Sequence, residues 1–129
     1  MPSRRSVFPA MSLTAAVALV FAWLISSSCA FHPGRRDVPD ADQLPPGIQE
    51  LFISTDDGER LHCYWLPRPP STRVLIYFQT NTGHIAKRMP ELLRLAGMGI
   101  NVLGANYRGF GKSTGSPSAY GLYTDGARS

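Results

Sequence analysis

The chain has 129 residues, 43% of them apolar and 17% charged, a composition that fits one globular domain and excludes a disordered or collagen-like chain. Its net charge is +4. Arg4 and Arg5 carry two of those charges and the other basic residues gather only as the pairs Arg35-Arg36 and Lys87-Arg88, so no nucleic-acid-binding face is expected.

The chain opens with a short positive stretch, Met1 to Arg5. An unbroken apolar run follows from Ala15 to Ile25, then small residues from Ser26 to Ala30. Charge, short apolar core and small residues, in that order, form the pattern of an export signal. Residues 1–29 are therefore read as a signal peptide or membrane anchor. Met11 to Ser28 approaches the roughly 20 residues that span a bilayer. Cys29, after three serines, is a lipidation candidate, and Ser28-Cys29-Ala30 also satisfies the small-x-small rule of ordinary cleavage. A lipid anchor, an uncleaved signal anchor and free secretion into a periplasm or medium stay open. Each places the rest of the chain outside the cytoplasm, and the anchored forms make the membrane a partner of the N-terminal segment. Cys63 lies in a strand-like alternation and reads as a buried thiol. Neither cysteine nor the three histidines (His32, His62, His84) has metal-ligand spacing, so no metal or cofactor is expected.

Residues 30–46 hold five of the chain's prolines and glycines among Arg and Asp, without apolar periodicity, and read as a Pro-rich linker and tether. From Gly47 the character changes. Leu51, Phe52 and Ile53 make a short strand, and Asp56-Asp57-Gly58 a hairpin turn. Leu61, Cys63 and Trp65 then alternate with His62, Tyr64 and Leu66, the period of a half-buried strand. Val74 to Phe78 is apolar on both faces, as a strand covered on two sides would be. Ile85, Met89, Leu92, Leu93 and Ala96 recur at helical spacing. Pro90 cannot sit deep in that helix, so the first turn is bent or the helix proper starts there. Ile100 to Ala105 is the next buried strand. Strand, crossover helix and strand imply a parallel pair with a right-handed connection.

Several segments carry a family resemblance. Thr55-Asp56-Asp57-Gly58, the turn Gln79-Thr80-Asn81-Thr82-Gly83, Asn106-Tyr107-Arg108-Gly109-Phe110-Gly111-Lys112-Ser113, and Gly121-Leu122-Tyr123-Thr124-Asp125 run in the order seen in α/β-hydrolases. The chain resembles the N-terminal portion of the lysophospholipase and serine-aminopeptidase-like branch over roughly Gln49 to Ser129. The fold this implies is α/β: an antiparallel hairpin, then a parallel strand–helix–strand unit, preceded by an apolar signal or anchor helix. Residues 47–129 would form a partial α/β-hydrolase domain that stops before the nucleophile elbow. The edge of the sheet would then fall at Val74 to Phe78.

The family's turn after its third strand reads His-Gly-Asn-x-Gly, and its backbone N–H groups donate to the oxyanion of acyl transfer. By position, the resemblance makes the backbone N–H of Asn81 the donor. Gln79 and Thr80 stand where the family has His and Gly. Thr80 is β-branched, and a turn built for glycine would resist it. Gly111-Lys112-Ser113-Thr114-Gly115 matches G-x-S-x-G, but no strand runs straight into it and Pro117 follows, so Ser113 is not read as a nucleophile. The same stretch fails the P-loop pattern, because position 106 is Asn and not Gly. Triad partners follow in the order Ser, acid, His, and no His occurs after His84. His62 reads as an exposed strand residue, His84 as a cap or solvent-facing residue, and Asp125 as a structural carboxylate near a helix N-terminus. The resemblance thus implies an exported hydrolase of esters, thioesters or peptides, with a small-molecule acyl substrate in the complete enzyme and no catalytic triad in this chain. The alternative is a truncated or degenerate hydrolase acting as a small membrane-attached or ligand-binding protein.

Overall fold

The computed structural model describes residues 31–127, together with 14, 17, 18 and 22. Apart from those four positions, the expected export signal lies outside the described residues, as does Cys29. Among the described residues no helix is long and apolar enough to cross a membrane. The strands are β1 (His32–Pro33), β2 (Gln49–Ser54), β3 (Arg60–Leu66), β4 (Val74–Phe78), β5 (Thr82–Gly83) and β6 (Asn101–Ala105). The α-helices are α1 (Met89–Ala96) and α2 (Ala119–Ala127), and 3-10 turns occupy Ala41–Gln43 and Ile85–Arg88.

β2 and β3 form the expected antiparallel hairpin, closed by the bonds from Thr55 N to Glu59 O and Gly58 N to Thr55 O. The main sheet runs β2-β3-β6-β4. β3 and β6 are antiparallel, while β4 and β6 are parallel with Val74 opposite Asn101 and Phe78 opposite Ala105. Pro90 lies in the first turn of α1, after the 3-10 turn, where its missing N–H costs no helical bond. α1 buries Leu92 and Ala96 against Tyr64, Leu66 and Val102 on one face of the sheet. Each such large apolar side chain contributes about 1.5–3 kcal/mol when fully buried. The second face holds a smaller cluster around Leu61, Cys63 and Ala105. Val74 and Ile76 of β4 belong to that face and are 54% and 42% exposed. Among the described residues β4 is one edge of the sheet, as expected.

Two expectations change. β3 is not half-buried: His62, Cys63, Tyr64 and Leu66 are each at 0% exposure. The loop after β6 continues along β3, with Asn106 N donating to His62 O, His62 N to Ser113 Oγ and Arg60 N to Thr114 Oγ1. The face that carries Tyr64 and Leu66 is covered by Ile85 of the 3-10 turn and by Leu92 and Ala96 of α1. Nor is the segment after residue 30 a free tether. His32 and Pro33 pair in parallel with Thr82 and Gly83, and further on Leu44 packs against the larger core cluster.

Candidate functional site

The turn between β4 and the 3-10 turn at Ile85 is fixed by its carbonyls. Gln79 N continues the sheet by donating to Ala105 O at 3.3 Å. The Gln79 side chain folds forward, and its Nε2 donates to Thr80 O at 2.9 Å and to Gly83 O at 3.5 Å. A trans peptide is planar with C=O and N–H opposed. Holding the Thr80 carbonyl therefore directs the Asn81 N–H to the side away from the Gln79 amide. Thr80 meets no obstacle, because Asp37 is the one non-glycine residue at positive φ among those described. The left-handed position of the turn falls on Gly83, at φ 78°, where a glycine is present. Asn81 itself is exposed. The side-chain role of Gln79 was missed from sequence, where the residue registered only as a departure from His.

The preceding segment closes the turn from behind. His32 N donates to Asn81 O at 2.9 Å and Gly34 N to Gly83 O at 2.8 Å. A Cβ on Gly34 would stand 2.8 Å from the Gly83 Cα, so this approach needs glycine.

His62, expected at the surface, is the centre of a buried polar chain. Its Nε2–H donates to Glu50 Oε1 at 2.8 Å, and Asn106 Nδ2 donates to its Nδ1 at 2.9 Å. Asn106 cannot turn over, since its Oδ1 accepts the Ile85 N–H at 2.8 Å and its Nδ2 also donates to His62 O. With a donor already aimed at Nδ1, this site holds the neutral Nε2–H imidazole. Burial lowers the His62 pKa below its ordinary 6.5, while the Glu50 carboxylate works in the opposite direction. Glu50 also accepts from Lys112 Nζ at 2.8 Å. The arrangement is an acid–His pair without a substrate-facing nitrogen, so it is structural. His84 stands at the N-cap of the 3-10 turn, where its carbonyl accepts the Lys87 N–H at 3.1 Å, but its side chain makes no cap bond and does not face solvent: it is 3% exposed, and among the described residues neither ring nitrogen has a partner. Burial lowers its pKa as well. Histidines held neutral by a fold take up protons more readily in the unfolded chain, so their contribution is full above pH 6.5 and is lost as pH falls through the lowered folded value. The denaturation midpoint should therefore drop as the pH falls below about 6.5, and His62→Gln should flatten that slope. An unchanged slope would remove His62 from this role.

Arg108 is anchored by Asp125. Its Nε and Nη2 donate to Asp125 Oδ1 at 3.0 and 2.6 Å, its backbone N to Asp125 Oδ2 at 3.0 Å, and its Nη1 to Asp57 Oδ2 at 2.7 Å. The bonds to Asp125, then Asp57, raise the Arg108 pKa above its ordinary value. Hydrogen bonding from Arg108 holds the exposed Asp57 carboxyl at about 2. Asp125 has the structural role expected, but it lies in the last turn of α2 and works through this ion pair. Ser113 is 3% exposed and its Oγ is occupied by the His62 N–H. Cys63 is a free, buried thiol, pushed up to about 12 by burial. Among the described residues no three His, Cys, Asp or Glu side chains are gathered as metal ligands.

A hairpin feeding a parallel strand–turn–helix–strand unit, with the turn presented beyond the C-terminal end of β4, is the opening architecture of an α/β-hydrolase, and the chain belongs to the α/β-hydrolase superfamily. It is 35% identical over 81 residues to the α/β hydrolase domain-containing protein WAV2 of Arabidopsis thaliana, covering 60% of this chain and 26% of that protein. It is 29% identical over 127 residues to the uncharacterized protein Rv2307c of Mycobacterium tuberculosis, covering 95% of this chain and 45% of that one. The crystal structure of an α/β hydrolase from Vibrio vulnificus matches with a TM-score of 0.57 at 22% identity, over 91% of this chain and 41% of that one. The chain thus spans less than half the length of the curated relatives it matches. No family model matches it.

Proposed function

We propose that this chain supplies the oxyanion turn of an exported serine hydrolase of esters, thioesters or peptides, of the lysophospholipase and serine-aminopeptidase-like branch. The observation that carries the reading is the Thr80 carbonyl held by Gln79, which presets the Asn81 N–H before any substrate arrives. When a serine attacks an acyl carbonyl, negative charge grows on its oxygen. A fixed N–H there contributes about 3 kcal/mol to the transition state. Ser113 and His62 are spent on the fold, so this reading gives the nucleophile, acid and base to other positions of the whole protein. The N-terminal segment would hold the enzyme at a membrane or deliver it beyond one.

In a protein that joins this turn to a nucleophile, Asn81→Pro deletes the donor N–H and should lower kcat about 10²–10³-fold. An unchanged kcat would remove Asn81 from the mechanism. Residues 30–129 alone should hydrolyse short p-nitrophenyl esters no faster than buffer, and turnover abolished by Ser113→Ala would overturn the assignment. For export, residues 1–45 fused to a reporter active only outside the cytoplasm should yield activity. Palmitate labelling lost in Cys29→Ala would select the lipid-anchored form, and a cytoplasmic reporter would refute export.

A further inference from the structure

We propose that residues 31–40 form a positioning strap for the turn, with Arg35 as its latch. The strap meets the turn as a short parallel ladder: His32 N donates to Asn81 O and Gly34 N to Gly83 O, and the register sets the Gly83 N–H against His32 O between them. Across the same trans peptide planes, the N–H groups of Thr82 and His84 point to the opposite side. The strap therefore fixes the peptide planes on which the Thr82 and His84 N–H groups are turned away from it. A backbone ladder on so short a segment is easily lost, but the strap is tied independently to the loop after β6. Arg35 Nε donates to Gly109 O and its Nη2 to Gly115 O, both at 2.9 Å, and Gly111 N donates to Gly34 O at 3.0 Å. Lys112 Nζ reaches Asp40 Oδ1 at 3.0 Å, closing the far end. One guanidinium bridging two carbonyls of a separate loop suits its planar fork of donors. Among the described residues the Arg35 side chain makes its hydrogen bonds to the loop after β6 and none to the turn, so it acts through the strap. The catalytic meaning of this device rests on the reading of the turn given above, whereas its existence does not.

Amide hydrogen exchange on the full 129-residue chain tests it without any substrate. Arg35→Ala should speed exchange of the amides at 32–34 and 80–84 about tenfold, and leave those of the β2–β3 hairpin unchanged. Gly34→Ala, whose methyl group would collide with Gly83, should give the same local pattern by a separate route. Arg35→Lys keeps a cation that reaches one of the two carbonyls, and should return most of the protection. Unchanged exchange at 80–84 in both Arg35→Ala and Gly34→Ala would overturn the strap, as would equal acceleration in the hairpin. Either failure leaves the Asn81→Pro test standing.

Discussion

Asp125→Ala should cost the fold about 3–5 kcal/mol, the usual penalty for removing one partner of a buried ion pair. Asp125 is 1% exposed and Arg108 9%. The carboxylate receives the Arg108 backbone N–H and two guanidinium nitrogens. Without it, the guanidinium keeps only Asp57, whose side chain is 49% exposed. The backbone N–H of Arg108 is also left without its acceptor. A single domain commonly has about 5–15 kcal/mol in all, so this one change consumes much of the margin. Urea denaturation measures it, and a loss under about 1 kcal/mol would show that water or Asp57 replaces Asp125. Replacing Arg108 and Asp125 together with Met and Leu should cost less than Asp125→Ala, because no charge is then stranded.

The second large effect concerns association. Residues 30–129 should self-associate along β4, and Ile76→Lys should release the monomer. Among the described residues β4 pairs only with β6. Its free side carries backbone donors and acceptors, and its second face leaves Val74 and Ile76 open. Folded proteins protect such edges with charge, Pro or a bulge, and none occurs between Val74 and Phe78. A lysine at position 76 projects from the exposed face and must be desolvated if a second strand and its sheet dock there. Sedimentation at rising concentration and binding of a hydrophobic dye report the outcome. A parent chain that stays monomeric and dye-negative would show that the edge is closed by other means.

What could be read from sequence follows from how each contact is made. The hairpin, the parallel strand pair and the late start of α1 were legible, because turn residues, apolar periodicity and Pro90 act locally. The strap was not. Its two-residue strand is held by backbone bonds, its pairing partners Thr82 and Gly83 lie 50 positions away, and neither side has a repeating pattern. His62 was misplaced because alternation assigns faces by polarity. A signal existed: Glu50 pairs with Tyr64 across the hairpin, which makes it the diagonal neighbour of His62 on the same face. A carboxylate beside a histidine is grounds for expecting a buried pair. At the turn, Asn81 is named by resemblance alone, whereas the hydrogen bond of the Gln79 side chain became visible only once the Thr80 carbonyl had a position.

The strap also sets a length. Cys29 stands three residues before His32, and three residues of extended chain reach at most about 10 Å. His32 is itself paired with Thr82. Anything fixed at Cys29 would thus be leashed within about 10 Å of the strap that holds the turn. On the reading proposed above, an anchor there would hold the turn close to the surface that bears the anchor. Inserting residues between Cys29 and His32 would lengthen that leash while keeping the pairing of His32 with Thr82.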